Sequence, residues 1–268
     1  IEITLDEKRM GQIAASFEKK EVKDFLFRIL PPKSGILNGN VSIGSDIFKI
    51  DNNQTFEISI PEQINCKIIS NSRKNSKTYE RILNSINGNS SFIEFDVFTV
   101  NRFSRIDLND TDVLLVADAT NFTPRAIESL KRYLKAGGSI IWFSGENYAK
   151  LKDQTISNLS LPKLIETVDL TNKSFLNVKI EDRENEIFQN LNMRDISDYF
   201  PKIFKYNSLE FNFNDKMILS MGQNIPFLLN LDSKLGSIYL FTSPLELSWN
   251  DFSLKGILIP VIYRMIAI

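Results

Sequence analysis

The stretch "DVLLVADATNFTPRAIESLKRYLKAGGSIIWFSG", residues 112 to 145, decides the fold. Between Asp112 and Asp118 every side chain is apolar, the mark of a strand covered on both faces. The helix that follows is written from cap to cap. Thr123 stands as N-cap, Pro124 takes the first helical position, Ile127, Leu130, Tyr133 and Leu134 share one face, and Gly137 ends it. "SIIWFSG" is then a second buried strand, so strand, helix and strand form the repeating unit of a parallel α/β sheet.

The same alternation extends in both directions. Upstream, "NCKIIS" reads as a buried strand, "SKTYERILNSIN" as a helix with Tyr79, Ile82, Leu83 and Ile86 inward and Gly88 at its end, and "FIEFDVFTV" as another strand. Downstream, residues 151 to 215 are less regular, with extra strands at "FLNVKI" and "SLEFNF". "KMILSMG", "IPFLLNLD" and "GSIYLFTSP" read as antiparallel closing strands. Residues 1 to 62 have no helical period: "IEITLD", "QIAASFEKK", "KDFLFRIL", "NGNVSIG" and "TFEISI" read as strands, and "IDNNQT" at 50 to 55 as a turn. The expected organisation is a small β-sandwich-like module at 1–62 and a doubly wound α/β domain at 63–268, flavodoxin-like in its layering.

Composition removes whole classes of chemistry. The chain has no histidine, which excludes Ser-His and Cys-His relays, imidazole bases and histidine-ligated metals. A net charge of −1 supplies no global field for nucleic acid. One cysteine, Cys66, excludes an internal disulfide, and its place in a buried strand reads as core. The opening "IEITLD", without initiator methionine or leader pattern, reads as a segment of a longer protein. "GILIPVIYRMIAI" at the other end is apolar over 13 residues, too short to span a bilayer; it is either a last core element or a membrane-proximal stem.

Three places remain as candidate sites. Ser144 stands at a strand-to-helix corner, where several α/β enzymes carry a nucleophile, with Gly145 and Glu146 beside it. It has no imidazole to take its proton, so the hydroxyl is expected to be structural. The loop "SNSRKNSKT", 70 to 78, lies after the first α/β strand and gathers Arg73, Lys74 and Lys77, a candidate ligand loop for an anion although it lacks phosphate-binding glycines. A metal site of the Asp-x-Ser-x-Ser kind fails: "VADATNF" supplies Asp118 and Thr120 but Phe122 third, and "IISNS" has Ser70 where the aspartate belongs. No metal and no cofactor are expected.

Three stretches carry a family resemblance: "FLFRILPPKSGILNGNVSIGSDIFKIDNNQTFEISIPE", the opening stretch, and "TSPLELSWNDFSLKGILIPVIYRM". Together they resemble the BatA-like membrane proteins of the bacterial aerotolerance operons. The resemblance implies that the chain is the soluble part of a membrane-anchored protein, a β-module followed by a class I glutamine-amidotransferase-like domain, at the periplasmic face of the inner membrane. Where true amidotransferases have G-x-C-x-G, this chain reads "WFSGE", so Ser144, Gly145 and Glu146 would be a vestigial nucleophile elbow and the domain a pseudoenzyme. Expected partners are other envelope proteins of the same operon, with no nucleic acid and no small-molecule substrate. The alternatives are a cryptic serine hydrolase and a small-ligand-sensing domain using the same cleft.

Overall fold

A computed structural model of the protein describes residues 1–27, 29, 31–44, 51–88, 92–171, 174–188, 199–212, 214–231 and 236–267. The chain divides into two compact units, Ile1–Glu62 and Gln63–Ile268.

In the first unit β1 (Glu2–Leu5), β2 (Lys8–Gln12), β3 (Gly35–Ser42) and β4 (Asn53–Ile60) form one antiparallel sheet in the order β2-β1-β3-β4. It is a single sheet among the described residues, where two packed sheets were expected. Its first hairpin turns on Asp6 and Glu7, both with positive φ, 45° and 65°, which matches the twist of the flanking strands. Asp6 is held there by accepting the Asn38 N–H at 3.0 Å and pairing with Lys33 at 2.8 Å. This early turn moves the second strand upstream of "QIAASFEKK", and residues 13–27 contain no strand. Of the apolar side chains in "KDFLFRIL", Phe27 lies against Gly11, where a Cβ would come within 3.0 Å of its ring, and Leu26 is exposed. Arg28 and Leu30 of that stretch, and Ile50 of the expected turn, lie outside the described residues.

The second unit is built on a nine-stranded sheet. Its strands are β5 (Ile64–Ser70), β6 (Ile93–Thr99), β7 (Val113–Ala117), β8 (Ser139–Phe143), β10 (Leu176–Ile180), β11 (Lys202–Ile203), β13 (Lys216–Met221), β14 (Ile225–Leu231) and β15 (Ser237–Phe241). The order is β11-β10-β13-β14-β15-β8-β7-β5-β6. The run from β15 through β6 is parallel, and the other pairings are antiparallel. Thus β15, expected to be antiparallel throughout, is antiparallel to β14 and parallel to β8.

The pleat explains how a continuous apolar strand is used. Val113, Leu115 and Ala117 enter one core with α1 (Arg73–Asn87) and α5 (Leu258–Ala267), while Leu114 and Val116 enter the other with α3 (Pro124–Lys135). Two short helices complete the set, α2 (Val100–Phe103) and α4 (Asp153–Leu159). Thr123 caps α3 as expected, its Oγ1 accepting the Ala126 N–H at 3.2 Å, and Gly137 takes φ 93° just beyond its end. The apolar C-terminal stretch is α5, whose Leu258, Val261, Ile262, Met265 and Ile266 are buried; Pro260 falls in its first turn, where no intrahelical N–H is required. No described helix is long and apolar enough to cross a membrane.

Candidate functional site

The connections out of the parallel strands diverge between β5 and β7: α1 follows β5 on one face and α3 follows β7 on the other. Ligands of open α/β sheets bind at the carboxyl ends of the strands where this divergence occurs. Four loops meet there, following β5, β7, β8 and β15.

A polar seam ties them together. Asn71 donates from Nδ2 to the Asp118 carbonyl at 3.1 Å and accepts the Thr120 N–H at 2.9 Å. Asp118, at φ 47°, points its carboxylate across to the next loop. There Oδ1 accepts the Gly145 N–H at 2.8 Å, and Oδ2 accepts the Asn147 N–H at 3.0 Å and its Nδ2 at 2.8 Å. Gly145 is required by this contact, because a Cβ at that position would stand 2.8 Å from the carboxylate. Asp118 is 6% exposed, and burial pushes its carboxyl from 3.8 up to about 6; the N–H groups of Asn147 and Gly145 oppose that rise and the nearby charge of Glu246 adds to it.

Ser144 is 0% exposed. Its N–H donates to the Phe241 carbonyl at 2.9 Å, which extends the β8–β15 pairing past the strand end. Its Oγ accepts a hydrogen bond from Asn207 Nδ2 at 3.3 Å. Asn207 belongs to a two-stranded ribbon of β9 (Lys163–Asp169) and β12 (Lys205–Glu210) that sequence reading placed only in part, as "SLEFNF". The same Nδ2 donates to the Gly145 carbonyl at 2.9 Å, Oδ1 accepts from Thr167 at 2.8 Å, and the backbone N–H donates to the Thr242 carbonyl at 2.8 Å. Neighbouring bonds hold the ribbon down: Phe204 and Lys205 donate their N–H groups to the Trp249 carbonyl at 2.8 and 2.9 Å, and Ser243 Oγ donates to the Lys205 carbonyl at 3.0 Å. The serine corner is therefore covered by a fixed strand. Among the described residues Ser144 has no carboxylate or amine in hydrogen-bond contact, and Glu146 is exposed.

Next to the seam a crevice of about 270 Å³ opens between Lys74, Asn75, Thr78, Tyr79, Asp118, Leu245 and Glu246. The expected ligand loop at 70 to 78 is in fact mostly helix. Ser72 is the extended residue before α1, and the inward period of Tyr79, Ile82 and Leu83 continues back to the buried Ser76. Of its three cations only Lys74 lines the crevice; Arg73 and Lys77 are exposed on the helix outside it. Asn207 and Asn147, which complete the site, carried no signal in the sequence, since an isolated asparagine has no distinctive spacing. Cys66 is buried in β5, and desolvation raises its thiol far above the usual range. No cluster of metal-ligating side chains occurs among the described residues.

No protein-family model and no curated protein matches the sequence. Solved structures do share its fold. A cytoplasmic protein from Salmonella typhimurium aligns with a TM-score of 0.58 at 15% identity, over 87% of this chain and 94% of its own. A ThuA-like protein from Bacteroides uniformis gives 0.58 at 11% identity, over 76% and 91%. The β-galactosidase of Bacillus circulans gives 0.53 at 11% identity over 75% of this chain, which spans only 30% of that enzyme. At these identities the likeness is one of fold: a mixed α/β architecture of the kind found in ThuA-like proteins.

Proposed function

We propose that this chain is a non-catalytic binding region of a membrane-anchored, BatA-like protein, with an amidotransferase-like α/β domain facing the periplasm and mediating assembly with other envelope proteins of its operon. The observation that carries the loss of catalysis is the covered corner. Ser144 lies under Asn207 of the β9–β12 ribbon, its hydroxyl touches no carboxylate or amine among the described residues, and the chain has no histidine. The ThuA-like neighbours support an amidotransferase-like reading of the fold. The family assignment rests on the three sequence stretches that resemble BatA-like proteins, and location and partners follow from that resemblance. Crosslinking of the full-length protein in intact cells, followed by mass spectrometry, tests the reading. Recovery in the membrane fraction with crosslinks to envelope proteins is expected; recovery as a soluble protein without such crosslinks would contradict it.

A second reading has one observation in its favour. The crevice beside Lys74 and Asp118 lies where open sheets hold small ligands, so a sensing domain for a small anionic or sugar-like molecule is the alternative.

A further inference from the structure

The crevice continues into a larger groove. Thr78, Leu245 and Glu246 line both, and beyond them the groove, of about 790 Å³, runs between α1 and the segment from Leu245 to Ile259. One wall is helical: Lys74, Thr78, Arg81 and Ser85 follow one another at spacings of three and four residues, so they stand on one face of α1. The other wall is mixed: Glu246, Ser248, Ser253 and Lys255 lie among apolar side chains. Leu247 and Leu254 are 60% and 72% exposed there, large side chains left in water on the flank of a concave surface.

The charges of the lining are unequal in what they meet. Asp118 is satisfied by the N–H groups of Gly145 and Asn147, and Lys255 pairs with Asp251 at 3.5 Å. Lys74 and Arg81 have no ion pair among the described residues, and neither do Arg73 and Lys77 on the same helix; Glu246 is the remaining anion. The helical wall is therefore positive, and it faces a wall on which Leu247 and Leu254 are the large exposed apolar side chains and Glu246 the remaining anion. From Lys74 to Ser85 the helix rises about 16 Å, the length of about five residues of extended chain.

We propose that this groove takes an extended peptide segment of a partner protein in which acidic residues, directed at Lys74 and Arg81, alternate with apolar residues seated on Leu247 and Leu254. Alternation follows from the extended backbone, whose successive side chains point to opposite sides and so meet opposite walls. The concavity separates this occupant from a lipid bilayer, which presents a flat surface. The inference rests on the binding role proposed above and names the chemistry of the partner.

Fluorescence anisotropy with a labelled synthetic peptide alternating glutamate and leucine, against one alternating lysine and leucine, tests it. The glutamate peptide should bind saturably to the native chain, and the lysine peptide should not. Leu254→Ser and Arg81→Glu, both at exposed positions, should each weaken binding at least about fivefold, whereas Lys135→Glu on α3 should leave it unchanged. Unaltered melting temperatures would show that both groove variants fold. Absence of glutamate-peptide binding, or equal binding by all variants, overturns the proposal. So does binding to phosphatidylglycerol vesicles that depends on Leu254 and Arg81 in the absence of peptide binding. Envelope crosslinks that persist in the Leu254→Ser and Arg81→Glu forms would fail the groove alone; their absence from the native protein as well would fail the binding role.

Discussion

Ser144 and Asp118 occupy positions where α/β enzymes keep reactive groups, and both make hydrogen bonds that tie neighbouring segments together. Ser144→Ala should change stability by roughly 1 kcal/mol or less, the net worth of one neutral hydrogen bond. Ser144→Leu should cost about 1–3 kcal/mol in the same thermal melts, because the buried corner beneath Asn207 has no room for it. Asp118 gives a test in pH. Its native carboxyl at about 6 lies above its ordinary 3.8, so the folded state keeps a proton that the unfolded state releases. The associated stability is present in full below about pH 4 and is lost as pH rises through about 6. Asp118→Asn should remove this pH dependence. It should also destabilise the chain by about 1–3 kcal/mol at neutral pH, since one amide oxygen cannot accept from both Gly145 and Asn147 as two carboxylate oxygens do. The sequence marked Ser144 by its place after a strand and Asp118 by its place after another. What it did not show was Asn207, more than sixty residues away and brought to the corner only by tertiary folding.

Elements were legible where burial is two-sided and hidden where it is not. β7, α3 and β8 are readable because continuous apolar strands and a fully capped helix leave no competing pattern. β2 was hidden because its strand KRMGQ is largely polar and its turn uses Asp6 and Glu7 in place of the Asn-Gly or Asp-Gly that announces such hairpins. The β9–β12 ribbon was hidden because most of β9 is exposed and its partner lies beyond a long intervening stretch. That ribbon depends on Asn207. Asn207→Ala would leave the Gly145 carbonyl and the Thr167 hydroxyl without their partner, at a cost of roughly 2 kcal/mol. Hydrogen exchange should accelerate in β9 and β12 and remain slow in β7 and β8; uniform acceleration across all four strands would show that the ribbon is no separate unit.

At the scale of the whole molecule, the two units differ in what they can bury. Residues 63–268 enclose a core on each face of their sheet, whereas the buried apolar side chains described in residues 1–62 are Ile3, Leu5 and Leu37. Expressed separately, 63–268 should melt cooperatively near the temperature of the whole chain, and 1–62 should show no cooperative transition of its own. A cooperative transition in isolated 1–62 would show that its sheet needs no further support. The change of pattern near residue 62 was visible in the sequence because alternating strands and helices obey a different period from strands alone. The arrangement of the first unit as one sheet was not visible, since a strand pattern does not say what covers its face. The proposal that the corner at Ser144 is closed for chemistry can be tested directly. Its most direct measurement is intact-mass analysis of the purified chain after exposure to a fluorophosphonate serine probe. No adduct is expected on the native chain or on Asn207→Ala; an adduct formed on the native chain and absent from Ser144→Ala would show that the serine is reactive.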